Sequence, residues 1–371
     1  MTTYKKNTLL VIRWIVGLLF IFSGLVKAND PLGLSYKMQE FFEAWNWYFF
    51  NDYTLVFSLV MNVFEVLAGV AVIIGWRMKL FSWLLLLLII FFSFLTGYAL
   101  LSGKIKTCGC FGDCLPLTPA ESFTKDIVLF VLILILFVNK SKIFSSVKSF
   151  TAIFLLFLCV VSVSYLQEHV MRHLPIVDCL PYKKGNNILK EMQPPPNAIQ
   201  DSVVMVFTYK KDGKDLEYTA DNLPEDLDSS YEFINRKDKV IRKGNATPPI
   251  ADFALFTFGG TDTTQALLNS NDEYVMLFAK DFSTFEKWHT DDFKNLMDQL
   301  QQKQMHFYIV TADKLTAEKI IGNLPADILL CDATVIKTAA RVNPTYFVMK
   351  GAEVVDKFSY VDIAKHLQNI Q

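Results

Sequence analysis

Residues 80–101 read LFSWLLLLLIIFFSFLTGYALL, twenty-two positions without a charged side chain. About 20 apolar residues in a helix cross a hydrocarbon core of about 30 Å, so this stretch reads as a membrane span. Working outward, four more apolar runs lie at 9–26, 56–76, roughly 122–138 and 150–166. The run at 122–138 is the least regular, because Lys125 and Asp126 stand near its start and its uncharged part begins at Ile127. Those two side chains must reach for the interface. The first run reads as a retained span. Arg13 interrupts it, and no small-residue cleavage site follows SGLVKAND at 23–30.

The chain has 371 residues and two unlike halves, apolar up to about Leu166 and ordinarily polar beyond it. Its net charge of −1 leaves no basic surplus to neutralise phosphates, which excludes nucleic acid as a partner class. No internal repeat or phosphate-cradling glycine loop is present. Lys5, Lys6, Arg77, Lys79, Lys140, Lys142 and Lys148 fall on one side of a five-span arrangement. Positive charge marks the cytoplasmic side, so the N-terminus is expected inside and everything after Leu166 outside. The opposite segments carry Lys27, Lys37, Lys104, Lys106 and Lys125, which weakens the bias without reversing it.

Between the first two spans, Asp30 is placed to cap a short amphipathic helix with Pro31 at its first position. The aromatics Phe41, Phe42, Trp45, Trp47, Tyr48, Phe49 and Phe50 follow as an interfacial belt. Within the spans, Glu65 sits near mid-membrane, where a carboxylate needs a partner or a proton. Arg13 is a conceivable partner; a proton or quinone contact is the functional alternative to a structural pair. His169 and His173 are four apart on one helix face, but no carboxylate or thiol set beyond Cys179 completes a metal site.

The outward connection after the third span carries CGCFGDC at 108–114. Three readings compete. An exchanging thiol pair needs a thiolate, a second sulfur and access. Lys104 and Lys106 would lower a thiol pKa, and Gly109 and Gly112 permit a tight turn. Cys108 and Cys110 are then the exchanging pair, with Cys114 or Cys179 resolving; Cys110–Cys114 is an alternative bridge, leaving Cys108 free or paired with Cys179. A static disulfide would only pin the loop. Zinc would favour more regular spacing, so no metal is expected. Cys159 lies within the last span as an apolar filler, and Cys331 reads as a buried strand residue.

Beyond the proline run at 194–196, a hairpin is expected to turn at Asp212-Gly213, and the segment from there to about 249 reads as loop. From 250 on, strands alternate with helices: EYVMLFAKDF, then one helix over FEKWHTDDFKNLMDQLQQKQ, then MHFYIVTAD, KLTAEKIIGNL and ADILLCDATVIKTAARV. A final hairpin turns at KGAE, which indicates a compact α/β sheet.

Two resemblances follow from these residues. Arg13, FIFSGLVK, NDPLG, Glu65 with EVLAGVAVIIGW, and CGCFGD make the first 140 or so residues similar to the DoxX/MauE group of four-helix membrane proteins. That resemblance implies maturation of disulfide-rich periplasmic proteins, or thiosulfate oxidation linked to quinone reduction. Residues 250–371 resemble thioredoxin-like domains of the peroxiredoxin and TlpA branch, with Pro344 matching the family's cis-proline. Where that family carries Cys-x-x-Cys, this chain reads AKDFSTFEKW, and Ser283 cannot replace a thiolate. The whole arrangement is similar to one found in Bacteroidetes.

The expected architecture is an α-helical membrane bundle followed by a soluble α/β thioredoxin-like domain. Its units are a four-helix domain at 1–145, a fifth span and linker at 146–200, a β-rich connection at 201–249 and the thioredoxin-like domain at 250–371. The expected location is a bacterial inner membrane with the C-terminal domain periplasmic. Lipid and a periplasmic partner or disulfide substrate are the expected contacts, and a quinone is the one cofactor the resemblance offers. The functional expectation is periplasmic thiol–disulfide redox or electron transfer. Its alternative is a non-enzymatic anchored module whose loop is a static disulfide and whose domain binds an envelope protein.

Overall fold

The computed structural model describes residues 3–367 apart from 106, 108, 200–201, 225–226, 243, 245 and 322–323. Six helices build the N-terminal half: α1 (Thr3–Asn29), α2 (Pro31–Ala44), α3 (Thr54–Ile74), α4 (Met78–Ser102), α5 (Pro119–Val138) and α6 (Ser149–His173). Among the described residues, four segments are long and apolar enough to cross a membrane: 7–29, 48–74, 78–102 and 149–173. Helix α5 falls short of that standard because Glu121, Lys125 and Asp126 occupy its first two turns. Its start is fixed by a capping box in which Thr118 and Glu121 satisfy each other's backbone N–H groups. Large apolar side chains face outward, among them Trp14 and Phe22 on α1, Trp83 and Phe94 on α4, and Phe154 and Phe157 on α6. A water-facing helix would not carry them in stripes; lipid accounts for them.

Helices α1 and α3 touch through glycine. A Cβ on Gly69 would fall 2.6 Å from the Gly17 carbonyl oxygen, and one on Gly24 would fall 2.6 Å from Val66 Cγ2. Small residues let the two backbones close up, which is how apolar helices gain contact when lipid competes equally for their side chains. Asp30 caps α2, accepting from Gly33 N at 3.0 Å, with Pro31 at the first helical position.

The chain leaves α6 and enters an α/β domain sooner than the sequence suggests. Residues 146–200 were expected to be span and linker, yet Tyr182 and Ile188 are buried in the domain core. Helix α7 (Ile188–Glu191) is tied to the final hairpin through Ile188 N–Ala352 O at 2.8 Å. The chain then departs at Glu191 and returns at Ile250, whose N–H donates to Glu191 O at 3.0 Å. The excursion holds a three-stranded antiparallel sheet of β1 (Ser202–Lys211), β2 (Lys214–Thr219) and β3 (Glu232–Arg242), ordered β2-β1-β3. The hairpin turn at Asp212-Gly213 is as expected. Strand β3 corrects the loop reading of that segment. It is an exposed edge strand, where charges such as Arg236 and Asp238 face water at no cost and hide the strand pattern.

The main sheet orders β4 (Phe256–Thr257), β7 (Asp327–Leu330), β6 (His306–Thr311), β5 (Glu273–Ala279), β8 (Thr345–Lys350) and β9 (Glu353–Ser359) as β4-β7-β6-β5-β8-β9. Strands β5, β6 and β7 are parallel, while β8 and β9 run antiparallel beside β5. Helices α8 (Thr264–Leu268), α9 (Phe285–Trp288), α10 (Asp291–Gln302), α11 (Lys314–Ile321), α12 (Ala333–Ala339) and α13 (Ile363–His366) complete the domain. Tyr274, Met276 and Phe278 of β5 point into one core and Val275, Leu277 and Ala279 into the other. A strand covered on both faces reads as a continuous apolar run, as this one does. The single helix expected over 285–304 is two, because Thr290 starts a new one by accepting from Phe293 N at 3.4 Å. The arrangement is consistent with a thioredoxin-like domain.

Candidate thiol–disulfide site

The loop after α4 folds back on itself at Gly109 and Gly112, both with positive φ, and Gly112 N donates to Gly109 O at 3.1 Å. Its inner half rests on the bundle. Ser23 Oγ lies 3.0 Å from the Cys110 carbonyl oxygen and 3.0 Å from Glu65 Oε2, while Phe111 packs on Phe22 at 5.6 Å. Cys110 is a free thiol packed beside Phe41, Ala99 and Ile105. Burial pushes that thiol up, with Asp126 adding and Lys125 opposing. The expected lowering by the loop lysines does not operate on it, since desolvation dominates. Cys108, the other half of the expected exchanging pair, lies outside the described residues.

Beneath the loop, Glu65 is fully buried and paired with Lys27, itself 3% exposed. Arg13, the conceivable partner, points elsewhere: its Nε donates to Val72 O at 3.0 Å and its Nη2 to Ile73 O. It thereby occupies the carbonyls at the C-terminal end of α3, where a cation is favourable. Lys27 wins Glu65 because Ser23 and Lys27 are one helical turn apart on the face of α1 that meets α3. That i, i+4 spacing is the signal a sequence reading misses when it assigns Lys27 to the outside loop. Asp126 is likewise buried, held by Lys125 and by Thr96 Oγ1 at 3.0 Å. The space enclosed by Ser23, Phe92, Phe111 and Asp126 is about 20 Å³. A space of that size suits one water.

The outer half of the loop belongs to another environment. Cys114 forms a disulfide with Cys179, with Cα atoms 4.8 Å apart. The alternative Cys110–Cys114 and Cys108–Cys179 bridges are thereby excluded. Each bonded cysteine follows an aspartate that pairs with the α/β domain. Asp113 Oδ2 accepts from Arg341 Nη2 at 2.6 Å, and Asp178 Oδ2 from Lys357 Nζ at 2.7 Å. Arg341 also donates through Nε to Asp30 Oδ2 at 2.8 Å and through Nη1 to Lys337 O at 2.7 Å. Burial works against the Arg341 charge, but Asp30 and Asp113 outweigh it and raise its pKa.

Beside Arg341, Lys280 Nζ donates to Tyr36 OH at 2.9 Å and to Arg341 O at 2.8 Å. Lys280 N donates to Asn343 Oδ1 at 2.9 Å, and the Asn343–Pro344 peptide is cis. The surface formed by the end of β5 and the Arg341–Pro344 segment is the one where the thioredoxin resemblance would place a dithiol. Here it carries cations instead and sits over the cysteine loop. Between α2, the loop, residues 179–191 and α12 lies a cleft of about 790 Å³, with Tyr36, Glu40, Cys179, Lys183, Lys337 and Arg341 on its walls.

The remaining candidates do not join this site. Cys331 is buried in the α/β core, its thiol pushed up to about 12 by burial. Cys159 sits on α6. His169 and His173 stack at 4.5 Å, and His173 Nδ1 lies 2.9 Å from Asp362 Oδ2, fastening α6 to the α/β domain. Among the described residues no cluster of metal-ligating side chains is present.

Residues 5–139 match the model for methylamine utilisation protein MauE. Residues 203–243, the three-stranded sheet, match a domain of unknown function, DUF8463. Protein TlpB of Flavobacterium psychrophilum is 28% identical over 134 residues, 35% of this chain and 36% of that protein. The aligned stretch thus spans little more than a third of the curated relative. No solved structure matches.

Proposed function

We propose that this multi-pass membrane protein performs thiol–disulfide exchange, with Cys114–Cys179 as its redox pair. The observation that carries the reading is the position of the Cys179 end of that disulfide on the wall of a cleft, where the N-terminal helices meet the α/β domain. A catalytic pair needs access to solvent and a partner sulfur, and this pair has both. Cys110 is a structural thiol in this reading, because its burial disfavours the thiolate. The buried Lys27–Glu65 and Lys125–Asp126 pairs hold the bundle mouth that supports the loop. Disulfides persist on the oxidising side of a membrane, so the loop and the α/β domain face the periplasm, opposite Arg77 and Lys79.

The test is thiol trapping in native membranes. Cys114–Cys179 should interconvert between oxidised and reduced forms under mild reductant, and Cys114→Ser or Cys179→Ser should each accumulate a mixed disulfide with another protein. The second reading, a static staple, draws on the two ion pairs Asp113–Arg341 and Asp178–Lys357, which flank the disulfide as anchors would. A pair that stays oxidised throughout, with no mixed disulfide in either variant, establishes the staple and removes exchange. A phosphatase fused after Gln371 should be active; a silent one reverses the orientation.

A further inference from the structure

The cleft beside the disulfide is larger than a small thiol requires. Its volume of about 790 Å³ lies toward the upper end of ordinary ligand sites, which run from about 300 to 1,000 Å³. Its walls come from five parts of the chain that meet only in the folded protein: α2, the cysteine loop through Thr107, Asp113 and Pro116, the segment from Cys179 to Glu191, Thr247 with Pro249, and α12 with Arg341. The lining mixes apolar and polar groups and carries both charge signs, with Lys183 and Lys337 as cations and Glu40, held by Lys37, as an anion. Such a wall suits an extended polypeptide better than an apolar ring.

The two bonded cysteines are not equivalent toward this space. Cys179 lines the cleft and Cys114 does not. Thiolate attack on a disulfide selects the sulfur that is accessible, and the other sulfur leaves. The leaving group follows Asp113, whose charge would oppose a new thiolate nearby; Arg341 Nη2, at 2.6 Å, neutralises that carboxylate. The third described sulfur of the region, Cys110, is packed in the bundle and does not reach the cleft wall.

Building on the exchange reading above, we infer that the cleft receives a cysteine-bearing extended segment of a protein substrate, and that Cys179 is the sulfur it attacks. The substrate thiolate, having given its proton to solvent, bonds to Cys179 Sγ. The Cys114–Cys179 bond breaks, its electron pair passes to Cys114 Sγ, and that sulfur takes up a proton. A second substrate thiolate then attacks the substrate sulfur of the mixed disulfide and expels Cys179 as thiolate. The expelled Cys179 thiolate takes up a proton; the substrate dithiol is oxidised by two electrons and the protein pair is reduced to two thiols, so this half-reaction balances.

The experiment uses full-length protein in detergent and two probes: a short peptide carrying one cysteine activated as a mixed disulfide with thionitrobenzoate, and the small aromatic disulfide itself. Release of the chromophore reports attack by the free protein thiol. Both sulfurs belong to half-buried residues, but only Cys179 is on the cleft wall, so Cys114→Ser, which frees Cys179, should react with the peptide probe at least about tenfold faster than Cys179→Ser. Thr334→Trp, at an exposed position on the cleft wall, placed in the Cys114→Ser background, should slow the peptide probe and leave the small disulfide unchanged.

Because a cysteine variant can misfold, wild-type protein is also treated with the reduced form of the peptide, quenched and mapped by mass spectrometry. The peptide should be found on Cys179. Peptide on Cys114, or faster reaction of Cys179→Ser, overturns the assignment while exchange itself stands. Equal rates for the two probes with no effect of Thr334→Trp overturn the peptide cleft. No reaction in any arm removes this inference, and loss of interconversion in membranes is what separately removes the exchange reading.

Discussion

Cys110 and Cys114 share one short loop and meet opposite surroundings. The inner cysteine is a free thiol facing the bundle, under a loop half held by Ser23 and Phe22. The outer one is disulfide-bonded to Cys179, beside Arg341 of the α/β domain. The difference teaches that spacing within a cysteine motif does not assign roles; the element that covers each half does. In the exchange reading, the inner half anchors the loop and the outer half exchanges. Each prediction below presses on one half and asks whether the other responds.

The largest effect is expected at the inner anchor. Glu65→Ala leaves the Lys27 ammonium buried without its partner, and breaking a buried pair from one side costs about 3–5 kcal/mol. Thermal unfolding in detergent should show the loss as a lowered Tm. Glu65→Gln keeps an acceptor for Ser23 and should fall less far. An unchanged Tm for Glu65→Ala would mean that the pair does not hold the bundle mouth, and the anchor role of the inner half would go with it.

Next is the outer half. Arg341→Ala removes the cation shared by Asp30 and Asp113 and should weaken docking of the α/β domain by about 2 kcal/mol, the low end for a buried charge contact because Asp113 is 38% exposed. Reduction of Cys114–Cys179 by a small dithiol should accelerate, while alkylation of Cys110 keeps its wild-type rate. If both cysteines become accessible together, the loop is one unit and the contrast drawn above fails.

A pH effect should follow from Lys280. Burial foremost, then the nearby Arg341, hold its pKa down to about 7 against the pull of Asp30 and Asp281, from an ordinary value of 10.5. Between those values the unfolded chain binds a proton that the folded protein does not. Stability therefore rises with pH across that window, and below about pH 7 this contribution is flat. Tm measured from pH 7 to pH 9 should climb in the wild type and climb less in Lys280→Met. Equal slopes would show that the Lys280 contact with Tyr36 does not govern the interface.

Much of this architecture is legible in the sequence, and the parts that are not share a cause. The spans at 80–101 and 150–166 announce themselves because hydropathy is local. The continuous run at 273–279 likewise marks a strand covered on both faces. Pairings are different, because partners distant in the chain leave no local trace. Cys179 is 65 residues from Cys114, and nothing between them says that α6 returns it to the loop. Arg13 is a conceivable partner for Glu65 from the sequence, whereas helix phase gives it Lys27. Strand β3 is hidden by its own charges, which an edge strand tolerates. The domain boundary before Tyr182 is invisible for the same reason as the disulfide: its evidence is contact with Ala352 and Val354, far downstream.

The smallest effect is expected where the motif alone would place the largest. Cys110→Ala removes a sulfur that packs beside Phe41 and Ala99 as a small apolar group. Loss of about one buried atom's contacts should cost on the order of 1 kcal/mol or less. Exchange at Cys114–Cys179 should proceed at the wild-type rate, because a thiol whose pKa burial has raised offers little thiolate at neutral pH. The measurement is the trapping assay in membranes, run on Cys110→Ala beside the two outer variants. Abolished exchange in Cys110→Ala would move the chemistry to the inner half of the loop, and the Lys125–Asp126 pair beneath it would then be the place to look for the proton.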